Sequence, residues 1–249
     1  MKLKDKVFAI LAMALLFIVG YAAQASFSTL KSGGEQAGES NLPPDVRSDT
    51  LSRMPRTKRE DLTTDEARAA FDSVIAFQPK QLTERWLGPT GTRLLVPEYA
   101  VIYNKQDRML LRNKELLDQK TVELTIAVAT RETNNREEWI NHHPFAVKEV
   151  GLEVMEVIRK NEPLKGVDEK EAAVIQYGRE LFREPKVSSK TFSKVQGFYG
   201  KKSALAIALL MAYYDSNALL MRAYDQHMDP TCHMEHAGCY DEKNPPVTW

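Results

Sequence analysis

The chain has 249 residues, enough for one sizeable core and too few to make several domains the expectation. Its 34 basic and 34 acidic residues cancel, so no net charge steers it toward nucleic acid or an anionic membrane. No basic run is interleaved with aromatics, which argues further against nucleic-acid binding. The 43% hydrophobic content is that of an ordinary globular protein.

Met1–Ala25 reads as a secretory signal. Lys2, Lys4 and Lys6 precede thirteen uninterrupted apolar residues, Val7–Val19, and Ala23-Gln24-Ala25 has the small-x-small form of a cleavage site. The alternative is an uncleaved membrane anchor, since Val7–Ala23 is almost long enough to span. Either way the body of the protein is expected outside the cytoplasm, periplasmic or secreted. Residues 26–63 read as a flexible linker, with SGGEQAGES, Pro43-Pro44 and mixed charges around RTKRED.

A helical domain is expected over 64–228. Thr64 is placed as an N-cap ahead of Asp65 and Glu66, with Ala67, Ala70, Phe71 and Ile75 at helical spacing. Gln78–Gly91 reads as a loop broken at Gly88-Pro89, and Pro97 opens a helix to about Asn113. Thr121–Leu152 then gives two helices parted by Thr133-Asn134-Asn135 and stopped at Gly151, with Pro144 a potential bend. Leu152–Arg159 is a short helix, Asp168 caps another, and Ser188 or Ser189 begins a segment ending near Gly200. Ala204–Tyr214 carries no charge, and its pattern continues to Tyr224. Too short to cross a bilayer, it reads as a covered central helix or a subunit interface. No strand is convincing, so the class is all-α.

The tail, Asp229–Trp249, holds both cysteines and no helical pattern. An oxidising compartment favours a disulfide between Cys232 and Cys239 over a zinc site built with His233 and His236.

Within the central pair, Glu138 and His142 are four apart and share a helix face, and Glu123 lies on the preceding helix. An imidazole near two carboxylates suits proton transfer. A metal held by Glu123, Glu138 and His142 is the weaker option, because carboxylate bundles that bind two metals space Glu and His three apart.

The pattern Glu138, Trp139, His142, Ala146, Gly151, with Gly88-Pro89, Leu94-Leu95, Pro97-Glu98, Leu110, Leu117 and Glu123 upstream, resembles the carboxymuconolactone decarboxylase family, which includes the alkylhydroperoxidase D-like proteins. The resemblance spans roughly 80–225. It implies a compact helical bundle in which His142 and Glu123 transfer protons, Glu138 orients the imidazole, and Trp139 and Asn135 border the substrate. Glu138 and Asn135 stand where the peroxidase branch has its two cysteines. Without a thiolate there, peroxide reduction is not expected. The decarboxylase branch implies no metal or organic cofactor and a small acidic or carbonyl substrate. The resemblance also implies assembly into trimers or hexamers. A non-catalytic periplasmic binding or assembly protein on the same fold is the alternative.

Overall fold

Five helices begin at a residue whose side chain satisfies one or two of their first free N–H groups. The computed structural model describes residues 42–77 and 88–227, all within the compact unit Asn41–Trp249. Thr64 accepts from the Ala67 N–H at 3.0 Å and opens α1, Asp65–Ile75. A short α2, Gly88–Arg93, follows, and Pro97 is the first residue of α3, Pro97–Leu111. Asp118 accepts from the Thr121 N–H at 2.7 Å to start α4, Gln119–Glu132. Asn135 does the same for α5, Arg136–Val150, by accepting from the Glu138 N–H at 3.2 Å. Gly151, at φ 104, turns the chain directly into α6, Leu152–Arg159. Asp168 caps α7, Glu169–Arg183, and Ser188 caps α8, Ser189–Ala223. Within α8, Gly200 at φ 75 interrupts the helical backbone, a conformation that glycine adopts without a Cβ penalty.

The described residues therefore form an all-α bundle of eight helices. Its centre is α4, where Thr121–Thr130 are buried without exception. Helices α5, α7 and α8 pack around it. The principal core joins Leu124, Ile126 and Val128 of α4 to Trp139, Met155, Ile175, Ile207, Leu210 and Met211. Gly178 lets α7 approach closely, since a Cβ there would overlap Val128 of α4. A smaller cluster, Phe71, Val74, Leu94 and Ala100, binds α1 and α3 to the segment after α2. By length and composition α8 would suffice to cross a membrane, but its inner face belongs to this core.

Three expectations change. Gly88-Pro89 lies at the start of α2 rather than in a loop, because Pro at the second helical position loses no hydrogen bond. Pro144 leaves α5 a single helix from Arg136 to Val150. Residues 42–63 are not free linker: Arg53 N–H donates to Tyr224 O at 2.8 Å and His227 N–H to Leu51 O at 2.7 Å. Gln226 Nε2 also donates to Thr50 O at 3.1 Å, and Val46, Thr50, Leu51 and Ser52 are buried. Partners for that backbone lie beyond α8, which a local polar composition does not reveal. The expected signal (Met1–Ala25), residues 26–41 of the expected linker and the Cys232–Cys239 tail lie outside the described residues, as do 78–87.

Candidate functional site

The site is assembled by residues of five helices, α2, α3, α4, α5 and α8. His142 projects from α5 toward Glu123 of α4, its Nδ1 at 3.1 Å from Glu123 Oε2. A carboxylate can only accept, so Nδ1 carries the hydrogen. The other Glu123 oxygen accepts from Gln119 Nε2 at 2.8 Å, one helical turn earlier, which fixes the carboxylate plane. The second imidazole nitrogen, Nε2, meets the Tyr214 hydroxyl of α8 at 2.8 Å. The two rings stand nearly perpendicular, with centroids 5.4 Å apart. The result is a carboxylate–imidazole–phenol chain.

Glu138 also faces this cluster, but at a different station from the one expected. Its Oε2 stands 3.9 Å from His142 Nε2, beyond hydrogen-bond range. Tyr214 and Glu123 orient the imidazole, not Glu138. Instead Glu138 Oε1 accepts from Asn217 Nδ2 at 3.1 Å. The Asn217 carbonyl oxygen in turn accepts from Arg93 Nη2 at 2.6 Å and from the Tyr103 hydroxyl. Arg93 stacks over the Tyr103 ring at 3.4 Å, and Tyr103 stacks on Tyr213, whose hydroxyl donates to Asp107 at 2.9 Å. A buried guanidinium and a buried carboxylate are thus joined through one amide.

Burial sets the electrostatics. The side chains of Glu123 and Glu138 are 5% and 11% exposed, whereas that of His142 is 20% exposed, so the imidazole is the member that reaches solvent. Burial works against protonation of His142, but the hydrogen bond it donates to Glu123 and the charges of Glu138, Glu123 and Asp107 outweigh it and raise its pKa. Glu138 is raised because burial disfavours its charge, against the pull of His142 and Arg93. The phenol of Tyr214 is pushed well above its ordinary value, first by burial and then by Glu138. On the next position Glu137 is raised to about 8 by desolvation, with the neighbouring Glu138 adding to it. Burial lowers His143, which lies over Trp139 with ring centroids 5.8 Å apart.

Of the residues expected at the site, the structure brings together His142, Glu123 and Glu138. Trp139 is 2% exposed within the principal core, and Asn135 is the buried cap of α5. Both serve the fold at these positions. The Asn135 amide nitrogen has no hydrogen-bond partner among the described residues. Tyr214, Asn217, Arg93 and Tyr103 were not singled out from the sequence. The one available signal was a tyrosine and an asparagine three apart at the end of an otherwise apolar helix, where a buried polar group requires a partner.

Among the described residues no group of three His, Cys, Asp or Glu is arranged to hold a metal. Both nitrogens of His142 are already engaged by Glu123 and Tyr214. Two surface cavities, of about 430 and 340 Å³, lie along α7, one reaching the head of α8 and the other the 161–163 turn; neither is lined by any residue of the His142 network. The chain matches no known family model, and no curated protein matches it.

Proposed function

We propose that the protein is a cofactor-free proton-transfer enzyme of the carboxymuconolactone decarboxylase type, acting on a small acidic or carbonyl substrate. The observation that carries this is His142 held between Glu123 and Tyr214 while still reaching solvent. Loss of CO2 from a carboxylated lactone or a β-keto acid leaves an enolate-like carbanion that needs a proton at carbon. With both ring nitrogens protonated, His142 donates one of its protons to that carbon and becomes the neutral imidazole. Glu123 holds Nδ1–H throughout and stabilises the imidazolium that waits for substrate. Tyr214 occupies Nε2 between turnovers and gives way to the substrate or passes the proton outward. Glu138, held by Asn217, adds negative charge that keeps the imidazole protonated. Export through Met1–Ala25 belongs to the same proposal, and it points to a substrate other than the lactone for which the family is named.

The test is proton NMR in D2O on the full chain, with a panel of carboxylactones and acidic carbonyl compounds. We expect substrate loss with deuterium entering carbon, reduced by about 100-fold or more in His142→Ala. Full turnover in that variant overturns the assignment. A second function, a non-catalytic binding or assembly protein, is favoured by the lining of both described cavities, to which no residue of the His142 network contributes. It predicts no exchange with any compound for either protein.

A further inference from the structure

Helices α3 and α8 each keep an apolar stripe away from the core. On α3, Tyr99 is 50% exposed, Ile102 62% and Met109 52%. On α8, Leu205 is 60% exposed, Leu209 41% and Leu219 55%, with Ala212 exposed between them. Both stripes follow the alternating three- and four-residue spacing of a helix–helix seam, completed by the uncharged Gln106 and Ser216.

The two stripes form one face. Arg93 bonds to Asn217, Asp107 to Tyr213 and Leu116 to Ser203, so α3 and α8 run antiparallel. At 100° per residue, Tyr99, Ile102 and Met109 lie about 40° to 120° to one side of Tyr103, the residue that faces α8. Leu209, Leu205, Ala212 and Leu219 lie about 40° to 120° to the same rotational side of Tyr213, the residue that faces α3. Because the helices are antiparallel, the same rotational sense puts both stripes on one side of the pair. Glu98, Lys105 and Asp215 fall at the edges of this face, and Lys201 at its end. The six large side chains leave on the order of 600 Å² accessible, comparable to the roughly 800 Å² each partner gives to a standard interface. It is also at the top of what a monomer leaves bare.

We propose that this face is covered by a second copy of the chain, related by a two-fold axis at the level of Ala212. The spacing is what singles out a second copy. Leu205 and Leu219 lie seven residues before and after Ala212, and Ile102 and Met109 straddle the same level, marked by the bond between Asp107 and Tyr213. One axis lying in the face, across both helices, therefore serves both stripes. It sets Leu205 against the partner subunit's Leu219 and Ile102 against the partner subunit's Met109, with the small Ala212 at the close crossing. Such self-complementarity is what an isologous interface requires and a different partner does not. The far side of α8 carries Tyr214 and Asn217, and Tyr103 stands between the two helices, so the face lies one helix away from the His142 network.

Sedimentation velocity on the full 249-residue chain, from about 1 to 50 µM, tests this together with two variants. The wild type is expected to form a dimer or an assembly containing that dimer. Ala212→Arg, at an exposed position, is expected to weaken association by about 100-fold or more with helicity unchanged by circular dichroism. Under mild oxidation Ala212→Cys is expected to give a peptide linked to itself through position 212, read by mass spectrometry. That readout stands even if the arginine variant fails to fold. A wild type monomeric throughout the range overturns the proposal, as does association indifferent to Ala212→Arg. Monomers that co-sediment with phosphatidylcholine vesicles would assign the face to lipid and equally overturn it.

Discussion

Helices α4 and α8 are both rich in apolar residues and both central, yet they are enclosed differently. Every residue of α4 from Thr121 to Thr130 is buried, because α5, α7 and α8 surround it. Helix α8 buries Ile207, Leu210, Met211 and Tyr214 while Leu205, Leu209, Ala212 and Leu219 stay open. Hydrophobicity therefore serves the fold alone on α4. On α8 it serves the fold on one side and leaves an open apolar stripe on the other, with two polar residues of the site, Tyr214 and Asn217, set into the inner side.

The neighbouring positions 209 and 210 sharpen that contrast most. Leu210→Ala removes a side chain with no exposure and is expected to cost about 2–5 kcal/mol in chemical denaturation, by lost burial and a residual cavity. Leu209→Ala, measured where chains are dissociated, should change stability by less than about 0.5 kcal/mol. Equal effects would break the distinction between the two sides. Next in size is Asn217→Ala, which removes the shared partner of the buried Arg93 and Glu138 and one of the bonds of Tyr103. A loss of about 2–4 kcal/mol is expected, since buried polar groups left unpaired cost more than the bond they made.

A pH titration reports the inner side directly. The native pKa of His142 is raised above its unfolded value, so the native state binds that proton more tightly. Its contribution is complete below about pH 6.5 and is lost as pH rises through the native value. Glu138 is raised too and acts in the same direction, from about pH 4.5 upward. Denaturation midpoints should therefore fall across neutral pH, and His142→Gln should flatten the upper part of that fall. An unchanged slope would remove His142 from the account. The smallest effect is expected at Glu156, which Arg159 holds near pKa 2 on the surface of α6. Glu156→Gln should cost less than about 1 kcal/mol at pH 7, and the difference should vanish as pH falls from 4.5 toward 2.

Much of the helical framework was legible because its signals are local. Thr64, Asp118, Asn135, Asp168 and Ser188 each cap within three residues, and Gly151 and Gly200 mark breaks by their own backbone conformations. The Glu138–His142 spacing placed both on one face of α5, with Glu123 on the preceding helix, and the family resemblance added weight to Glu123 and His142. Glu138's own partner was not legible. Asn217 lies 79 residues on, and it is Tyr214, 72 residues on from His142, that meets His142 Nε2.

The sequence by itself thus determined the class, most helix limits and the carboxylate–imidazole core of the site, because caps, periodicity and turns act over a few residues. Only the tertiary structure decided that residues 42–63 pair with the chain after α8 and that the Tyr214 hydroxyl meets His142 Nε2. It also decided that the stripes of α3 and α8 share one side. Each of these depends on how helices distant in sequence are rotated and set antiparallel. Packing fixes that rotation, and the spacing along any one helix leaves it open.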